Sequence, residues 1–428
     1  MAPPEALPRD RVRLLWPGGR SEAARLLPLG KSGGAGEVFG LEGRPGHVAK
    51  VYHAAILAQH RERYERKIRW MVNHRPELPE LPSGPEPVVQ LAWPVAVVQC
   101  EGRFAGFAME KIDFERTMEI DYLLTRRQAE EEGFAVDYGR LITVCHNLAT
   151  LLHCLHRQRI FVVDLKPVNL KVYKTELYVS ILDCDGFWID ADGFVCEAPQ
   201  VTPEYLAPEF HDRNVADPEA QDRFALATIV FRLLNYGIHP YAGVAQPGTP
   251  VPAELAGRIR AGYYPYGISP HRQIRATPAS VHDCLPDALR ALFDRSLGRG
   301  AQRVAAREWA QALAGYASRS GGMLERCEHG HLQFPEKPCA TCVREGLLRG
   351  HRERQRRLLT RLQATPARAA RYVRSTLRGT HTSPFQAALA QGQVTAIQMT
   401  PQTASIRNTL SVEIVWVLGL AIAWWWLQ

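Results

Sequence analysis

The stretch FVVDLKPVNL, Phe161–Leu170, sets an acid, a base and an amide at Asp164, Lys166 and Asn169. These residue types at i, i+2 and i+5 suit phosphoryl transfer, which needs positioning and charge neutralisation more than covalent help. Asp164 can take the proton of an acceptor hydroxyl. Lys166, on the same side of an extended loop, can hold the transferring phosphate, and Asn169 can ligate a metal ion. Taken alone, the stretch also reads as a turn after a strand. Fourteen residues beyond Asn169, VSILDCDGF delivers Asp183 at the end of a strand. A carboxylate there can hold the magnesium that bridges nucleotide phosphates, and Asp185 is a second candidate.

Upstream, LGKSGGAGEV (Leu29–Val38) carries Gly30, Gly33, Gly34 and Gly36, which let backbone close over phosphates without Cβ clashes. Both flanks read as strands, and no G-K-[ST] ending follows, so a hairpin is expected and a P-loop is not. In HVAKVY, Lys50 sits between apolar neighbours on a strand. The α- and β-phosphates of ATP would supply the anion it needs, with a carboxylate of the next helix orienting it. Glu65, in ERKIRWM, is the first choice for that carboxylate and Glu62 the second. A lysine that snorkels to the surface is the plainer alternative.

These groups need elements to position them. At 428 residues, with 46% hydrophobic and 22% charged content, the chain suits one to three globular domains. Nine cysteines, mostly scattered, do not form a disulfide framework. The formal charge of +8 is concentrated in the Arg-rich segment 344–378. The opening MAPPEALPRDRVRLLW, without an uninterrupted apolar run, is not expected to act as a signal peptide. Residues 1–20 read as a loose lead-in. AARLLPLG, GHVAKVY, VVQLAWPVAVV and GRFAGFAMEKI read as strands. Helical periodicity covers Ala54–Val72, residues 138–160, Arg223–Tyr236, Pro286–Leu297 and Ala305–Tyr316. A strand-rich part therefore precedes a helix-rich part.

From roughly Ala24 to Ala314, these ordered blocks resemble the protein kinase family. LHRQRIFVVDLKPVNL looks like its catalytic loop, VTPEYLAPEF like the end of its activation segment, and QDRFALATIVFRLLNYGIHPY like the helix that follows. The resemblance implies an α+β, bilobal fold, residues 21–112 forming a strand-rich lobe and 113–320 a helical one. It makes Asp164 the catalytic base, Lys166 the γ-phosphate clamp, Asn169 and Asp183 the magnesium ligands, and Lys50 the holder of the α/β-phosphates. The glycine loop with Gly30, Gly33, Gly36 and Val38 would cover ATP. Met109 would be the gatekeeper, and Glu110 to Ile112 would bind adenine through backbone groups. Asp222 would bond the catalytic-loop backbone, and Arg303 would pair with Glu209. Pro167 after Lys166, and Thr202 in the acceptor-binding loop, resemble the serine/threonine-specific members, so the expected partner is a protein with a Ser/Thr acceptor.

The chain departs from the family pattern in four places. Val162-Val163 stands where His-Arg is usual, which removes the docking charge for a phosphorylated activation loop. The metal motif is Asp183-Cys184-Asp185-Gly186, without the phenylalanine that couples it to the helix. The glycine loop has one extra residue, and Gly243–Leu285 is long. The pattern is similar to a bacterial branch found with helix-hairpin-helix modules or in tellurite- and stress-resistance gene clusters. A nucleotide-binding scaffold without transfer activity is the competing reading.

Three segments follow. In 325–345, RCEHGHLQFPEKPCATC offers Cys327, His331, Cys339 and Cys342 as zinc ligands, with His329 able to replace His331. Residues 346–408 are Arg-rich, then Thr/Gln-rich. A nucleic-acid regulator acting through the zinc segment and these arginines is a third reading, though no reading helix accompanies them. Residues 410–428 end in IVWVLGLAIAWWWL, expected to be a C-terminal tail anchor that places the chain on the cytoplasmic face of a membrane.

Overall fold

The alternating runs do form strands, and the strands close on themselves. A computed structural model describes residues 11–81, 87–199, 202–211, 217–298, 302–317 and 322–363. Its first part comprises β1 (Arg11–Leu15), β2 (Ser21–Ser32), β3 (Gly36–Leu41), β4 (His47–Tyr52), α1 (Ala54–Asn73), β5 (Pro94–Cys100) and β6 (Arg103–Glu110). The strands run antiparallel in the order β1-β2-β3-β4-β6-β5, and β1 pairs with β5 to shut the barrel. Closure leaves no free edge. Ala49, Ala96, Ala105 and Ala108 are buried in its interior beside Leu14 and Val98, small side chains of the kind a six-stranded barrel admits. Two glycines make the spacing around β4 possible. A Cβ at Gly106 would lie 2.0 Å from Lys50 O, and one at Gly36 would lie 2.4 Å from Val51 O.

The second part begins with β7 (Thr117–Glu119), α2 (Arg126–Glu131) and α3 (Tyr138–Arg157). Asp137 caps α3 by accepting the Arg140 N–H. Next come β8 (Ile160–Phe161), β9 (Leu170–Tyr173), β10 (Val179–Ile181), β11 (Trp188–Ala191) and β12 (Phe194–Cys196). These short strands form two three-stranded sheets, β10-β9-β7 and β12-β11-β8, which carry the chemistry-bearing turns between them. α4 (Pro218–Leu234) starts with Pro218 at its first position and Asp217 as cap. It is buried over most of its length, so its sequence lacks an amphipathic stripe. β13 (Gly243–Ala245), α5 (Leu255–Ala261) and β14 (Ile274–Ala276) lie in the long segment Gly243–Leu285. α6 (Asp287–Leu297) and α7 (Ala306–Ala317) complete the helical core, with Trp309 fully buried. β15 (Glu325–Arg326) and β16 (Leu332–Gln333) form a small hairpin before α8 (Ala340–Gln363).

Two expectations are corrected. The bilobal kinase architecture ending in an apolar helix is not what these elements show: the N-terminal strands form a closed six-stranded barrel. The described residues up to Val343 form one compact unit, and those from Arg344 belong to a second. The α+β composition stands. The membrane tail anchor, and the cytoplasmic-face localisation built on it, are also overturned. Among the described residues no helix is long and apolar enough to cross a membrane. Residues 410–428 lie outside the described residues, and the uncharged run Ile414–Leu427 has fourteen residues where a span needs about twenty. In addition, the supposed lead-in supplies β1, the strand that closes the barrel.

Candidate functional site

Side chains alternate across a strand, so Lys50 and Tyr52 leave β4 on the same face, away from the alanines inside the barrel. Lys50 Nζ donates to Asp185 Oδ1 at 2.8 Å and Oδ2 at 3.1 Å, and to Asp183 Oδ1 at 3.2 Å. The Tyr52 hydroxyl donates to Asp185 Oδ2 at 2.9 Å. The two acids differ in exposure: the Asp183 side chain is 63% exposed and that of Asp185 is 5% exposed. Burial by itself pulls the Lys50 ammonium down, but the charges of Asp185 and then Asp183 outweigh it and hold the pKa above its ordinary value. Burial pushes the Asp185 carboxyl up, and the Lys50 charge outweighs that and leaves it lowered.

Glu65 does not reach Lys50. It accepts from Arg69 at 2.7 and 2.9 Å, one turn along α1. Glu62 is exposed. The buried positions of α1 are Leu57, Lys67, Ile68, Met71 and Val72, with no acid among them. Lys67 donates instead to the backbone oxygen of Phe187, just past the Asp183–Gly186 turn. Burial lowers its pKa to about 8, against partial opposition from Cys196 and Asp185.

Contacts continue from Leu182, next to Asp183, to the Phe161–Leu170 stretch. The Leu182 N–H donates to Asn169 O at 2.8 Å, and Asn169 Nδ2 donates to Asp164 O at 3.2 Å. Asp164 Oδ1 accepts the Thr202 hydroxyl at 2.6 Å, Lys166 Nζ lies 2.7 Å from Asp164 Oδ2, and Lys166 donates to Thr202 Oγ1 at 2.9 Å. Lys50 thus bonds Asp183, and bonds starting at the neighbouring Leu182 N–H run through Asn169 and Asp164 to Lys166 and Thr202. As a donor set, the open carboxylate of Asp183 and the amide of Asn169 suit a hard cation such as Mg²⁺.

A second network holds the Phe161–Leu170 stretch in place. Fully buried Asp222 accepts the N–H of Val162 at 2.8 Å and of Val163 at 2.7 Å, with His156 Nε2 3.0 Å away. Val163, β-branched, is held at φ +64°, and Asp183 at +51°. Backbone of this kind costs about 1–3 kcal/mol per residue and persists only where its surroundings enforce it. Gln221 provides part of that enforcement. It donates to Val163 O at 3.1 Å and Tyr205 O at 2.8 Å, and accepts the Ala207 N–H at 2.8 Å. Glu209 and Arg303 form a bidentate pair with both distances at 2.7 Å. Burial pushes the Glu209 carboxyl up, and Arg303 more than offsets this. A cavity of about 680 Å³ adjoins that pair and shares no residue with the Lys50–Thr202 series.

The other expected nucleotide residues fall around β3, β4 and β6. Gly30 sits at φ +66° beside a register shift in the β2–β3 hairpin, and Gly33 N–H bonds Gly36 O at the tip. Val38 lies opposite Lys50. Met109 pairs with Val48, Glu110 is held by Arg75 at 2.6 Å, and Ile112 is buried. Sequence reasoning missed Tyr52, Gln221 and Lys67. The first had a signal, since i+2 on a strand shares a face with Lys50. Gln221 had only its place beside Asp222. Lys67 had none, because a lysine on a charged helix reads as solvated.

The Cys/His segment forms a compact donor set. Cys327 Sγ and Cys342 Sγ are 3.8 Å apart, and His331 Nδ1 lies 3.3 Å from Cys342 Sγ and 3.8 Å from Cys339 Sγ. All four donor atoms lie within 4.8 Å of one another. Tetrahedral zinc, with bonds of about 2.3 Å to sulfur and 2.0 Å to nitrogen, implies edges of roughly 3.5–3.8 Å, so the set fits. His329 stays outside this group of four, although its Nδ1 lies 3.5 Å from Cys342 Sγ. The segment is docked on the helices by buried Phe334, edge-on to Tyr138 and Tyr316 at 5.7 and 4.9 Å, and by a Tyr236–Thr341 hydroxyl contact at 2.9 Å.

No protein-family model matches the chain. It is similar to the protein kinase YegI of Escherichia coli strain K12, with 26% identity over 298 residues covering 67% of this chain and 43% of the relative. The protein kinase YegI of E. coli O157:H7 matches with the same identity and coverage. The chain therefore spans less than half the length of these curated relatives. Both are protein kinases by name, and this similarity supports the family resemblance carried by the catalytic-loop and activation-segment residues.

Proposed function

We propose that this chain is an ATP-dependent protein kinase that transfers the γ-phosphate of ATP to serine or threonine hydroxyls of a protein. The observation that carries the reading is the pairing of Lys50 with Asp183 and, from the adjacent Leu182, the bonds through Asn169 and Asp164 to Thr202, in a chain similar to named protein kinases. Asp164 is the base that accepts the proton of the acceptor hydroxyl. The Thr202 hydroxyl now donates to its Oδ1 at 2.6 Å, which marks a place an acceptor hydroxyl can take. Lys166, beside both, offers its charge to the transferring phosphate, and Lys50 holds the α- and β-phosphates. Asn169 and Asp183 would hold Mg²⁺, which neutralises phosphate charge when bound. Backbone groups between Glu110 and Ile112 take the adenine, next to Met109, and the Gly30–Gly36 hairpin covers the phosphates. Lys166-Pro167 and Thr202 support the Ser/Thr choice.

With radiolabelled Mg-ATP and casein as acceptor, wild-type protein transfers label and Asp164→Asn reduces transfer by about 100-fold or more. Equal incorporation by both proteins overturns the reading. A scaffold that binds nucleotide without transferring phosphate is the second reading, favoured by Asp164 having both oxygens engaged by Thr202 and Lys166. It gains the ground if wild type binds Mg-ATP and labels nothing.

Residues 325–345 form a zinc segment in this proposal, with Cys327, His331, Cys339 and Cys342 as structural ligands. Because its aromatic residues pack on α3 and α7, metal binding stabilises the helical part rather than a separate module. Metal analysis of protein purified without chelator is expected to return about one zinc per chain. A Cys339→Ser, Cys342→Ser variant that keeps a full equivalent and an unchanged melting temperature would sink this assignment.

A further inference from the structure

The helix that follows β4 offers Lys50 no carboxylate. Among the described residues of α1, Glu62 is exposed, Glu65 is bonded to Arg69, and the buried face carries Lys67. Lys50 is nevertheless held from two sides of one group. Asp185 Oδ1 and Oδ2 lie 2.8 and 3.1 Å from its Nζ, and Tyr52, on the same face of β4, fixes Asp185 Oδ2 at 2.9 Å. We propose that Asp185 is the positioning residue for Lys50, with Tyr52 fixing the carboxylate. The acid that orients the phosphate-binding lysine thus comes from the turn carrying Asp183 and not from the helix. This rests on the kinase reading and deepens it.

Three features support the assignment. Asp185 is enclosed, with a side chain 5% exposed, so it stays on Lys50 while the open Asp183 remains available to a cation. Both Asp185 oxygens already have donors, which argues against Asp185 as a metal ligand. Lys67, donating to Phe187 O, ties α1 to the same turn. The helix contributes the cation and the turn contributes the acid, so Lys50, Asp183 and α1 are registered through a single short loop, Asp183–Phe187. Cys184 stands where the family pattern has the phenylalanine that couples this turn to the helix, and Lys67, bonded to Phe187 O, makes the connection in its place.

The test compares wild type with Asp185→Asn, Tyr52→Phe, Glu65→Gln and Asp164→Asn in the full chain. It measures kcat and the KM values for ATP and for casein, with circular dichroism as the check of folding. Loss of lysine positioning is expected to lower kcat/KM for ATP by about 30-fold or more in Asp185→Asn. The KM for casein should stay unchanged, a split that general loosening would not produce. Tyr52→Phe removes one hydroxyl and keeps the ring, so it remains informative if Asp185→Asn fails to fold. It should raise the KM for ATP by roughly 3- to 10-fold. Glu65→Gln should match wild type. Wild-type ATP kinetics in folded Asp185→Asn, or in Tyr52→Phe, overturns the proposal, as does a Glu65→Gln defect equal to theirs. If Asp164→Asn is inactive while Asp185→Asn is normal, only this proposal fails. If Asp164→Asn is fully active, the kinase reading fails with it.

Discussion

The surroundings of Asp164 and those of Lys50 were built by different rules. Around Asp164, the anchors are side chains bonded to backbone: Asp222 to Val162 and Val163, and Gln221 to Val163, Tyr205 and Ala207. Such bonds depend on main-chain groups that every residue carries, so they form at Val162 and Val163 whatever side chains stand there. Around Lys50, the contacts join side chain to side chain across 133 and 135 residues of sequence. There the partner can move to another element without changing the lysine. Backbone anchoring preserves a motif under substitution, whereas a side-chain pair preserves only its charge complement.

The comparison breaks most easily at Asp222. Asp222→Ala leaves two buried N–H groups without an acceptor, at about 1–3 kcal/mol each, and removes the His156 contact. A loss of about 3–5 kcal/mol is expected, read as a lower urea midpoint at unchanged slope, together with loss of phosphate transfer. If the midpoint barely moves, the Asp164 region is not held by its backbone anchors and the contrast between the two regions fails.

Lys67 sharpens the comparison on the other side, through pH. Its folded pKa is about 8, lowered by burial from 10.5. Above pH 8 the folded chain releases this proton while the unfolded chain still keeps it. Folding therefore gains stability as pH rises through this window, levelling off near pH 10.5, where the unfolded chain also deprotonates. The gap corresponds to about 3 kcal/mol. Lys67→Met removes this contribution, so the stability difference between the two proteins should shift in favour of wild type between pH 8 and pH 10. Chemical denaturation at several pH values measures it. A difference that does not vary with pH would show that Lys67 is not a buried ammonium.

What could be read from the sequence follows the same division. α3, α6 and α7 formed close to where helical periodicity placed them, and α4 began somewhat earlier, at Pro218 with its Asp217 cap. The pair Glu209–Arg303, 94 residues apart, was named only through the family resemblance and not from any local pattern. The closed barrel was not legible, because RVRLL is a short alternation whose role depends on pairing with β5 more than eighty residues away. Glu65 faces Arg69 and not Lys50 for a reason of helix phase. Glu65 and Lys67 are two residues apart, about 200° around a helix axis, so burying Lys67 turns Glu65 outward. α1 also departs from helical backbone at His60, with φ −135° and ψ 16°, which weakens any phase counted from its first turn. Nothing local in ERKIRWM says which of its charged residues faces inward.

The smallest predicted effect is therefore at Glu65, and its smallness is the point. The Glu65–Arg69 pair spans one helical turn, with side chains 29% and 46% exposed. Exposed pairs of this spacing contribute about 0.3–0.5 kcal/mol and weaken with added salt. Glu65→Gln should lower stability by no more than that in low salt, with the difference fading at about 0.5 M salt, and should leave nucleotide affinity unchanged. A carboxylate that oriented Lys50 would behave differently on both counts: its removal would persist in high salt, because a buried pair is poorly screened, and would weaken Mg-ATP binding. Stability at two salt concentrations and one nucleotide titration thus separate the helix from the Asp183–Phe187 turn as the source of the orienting charge.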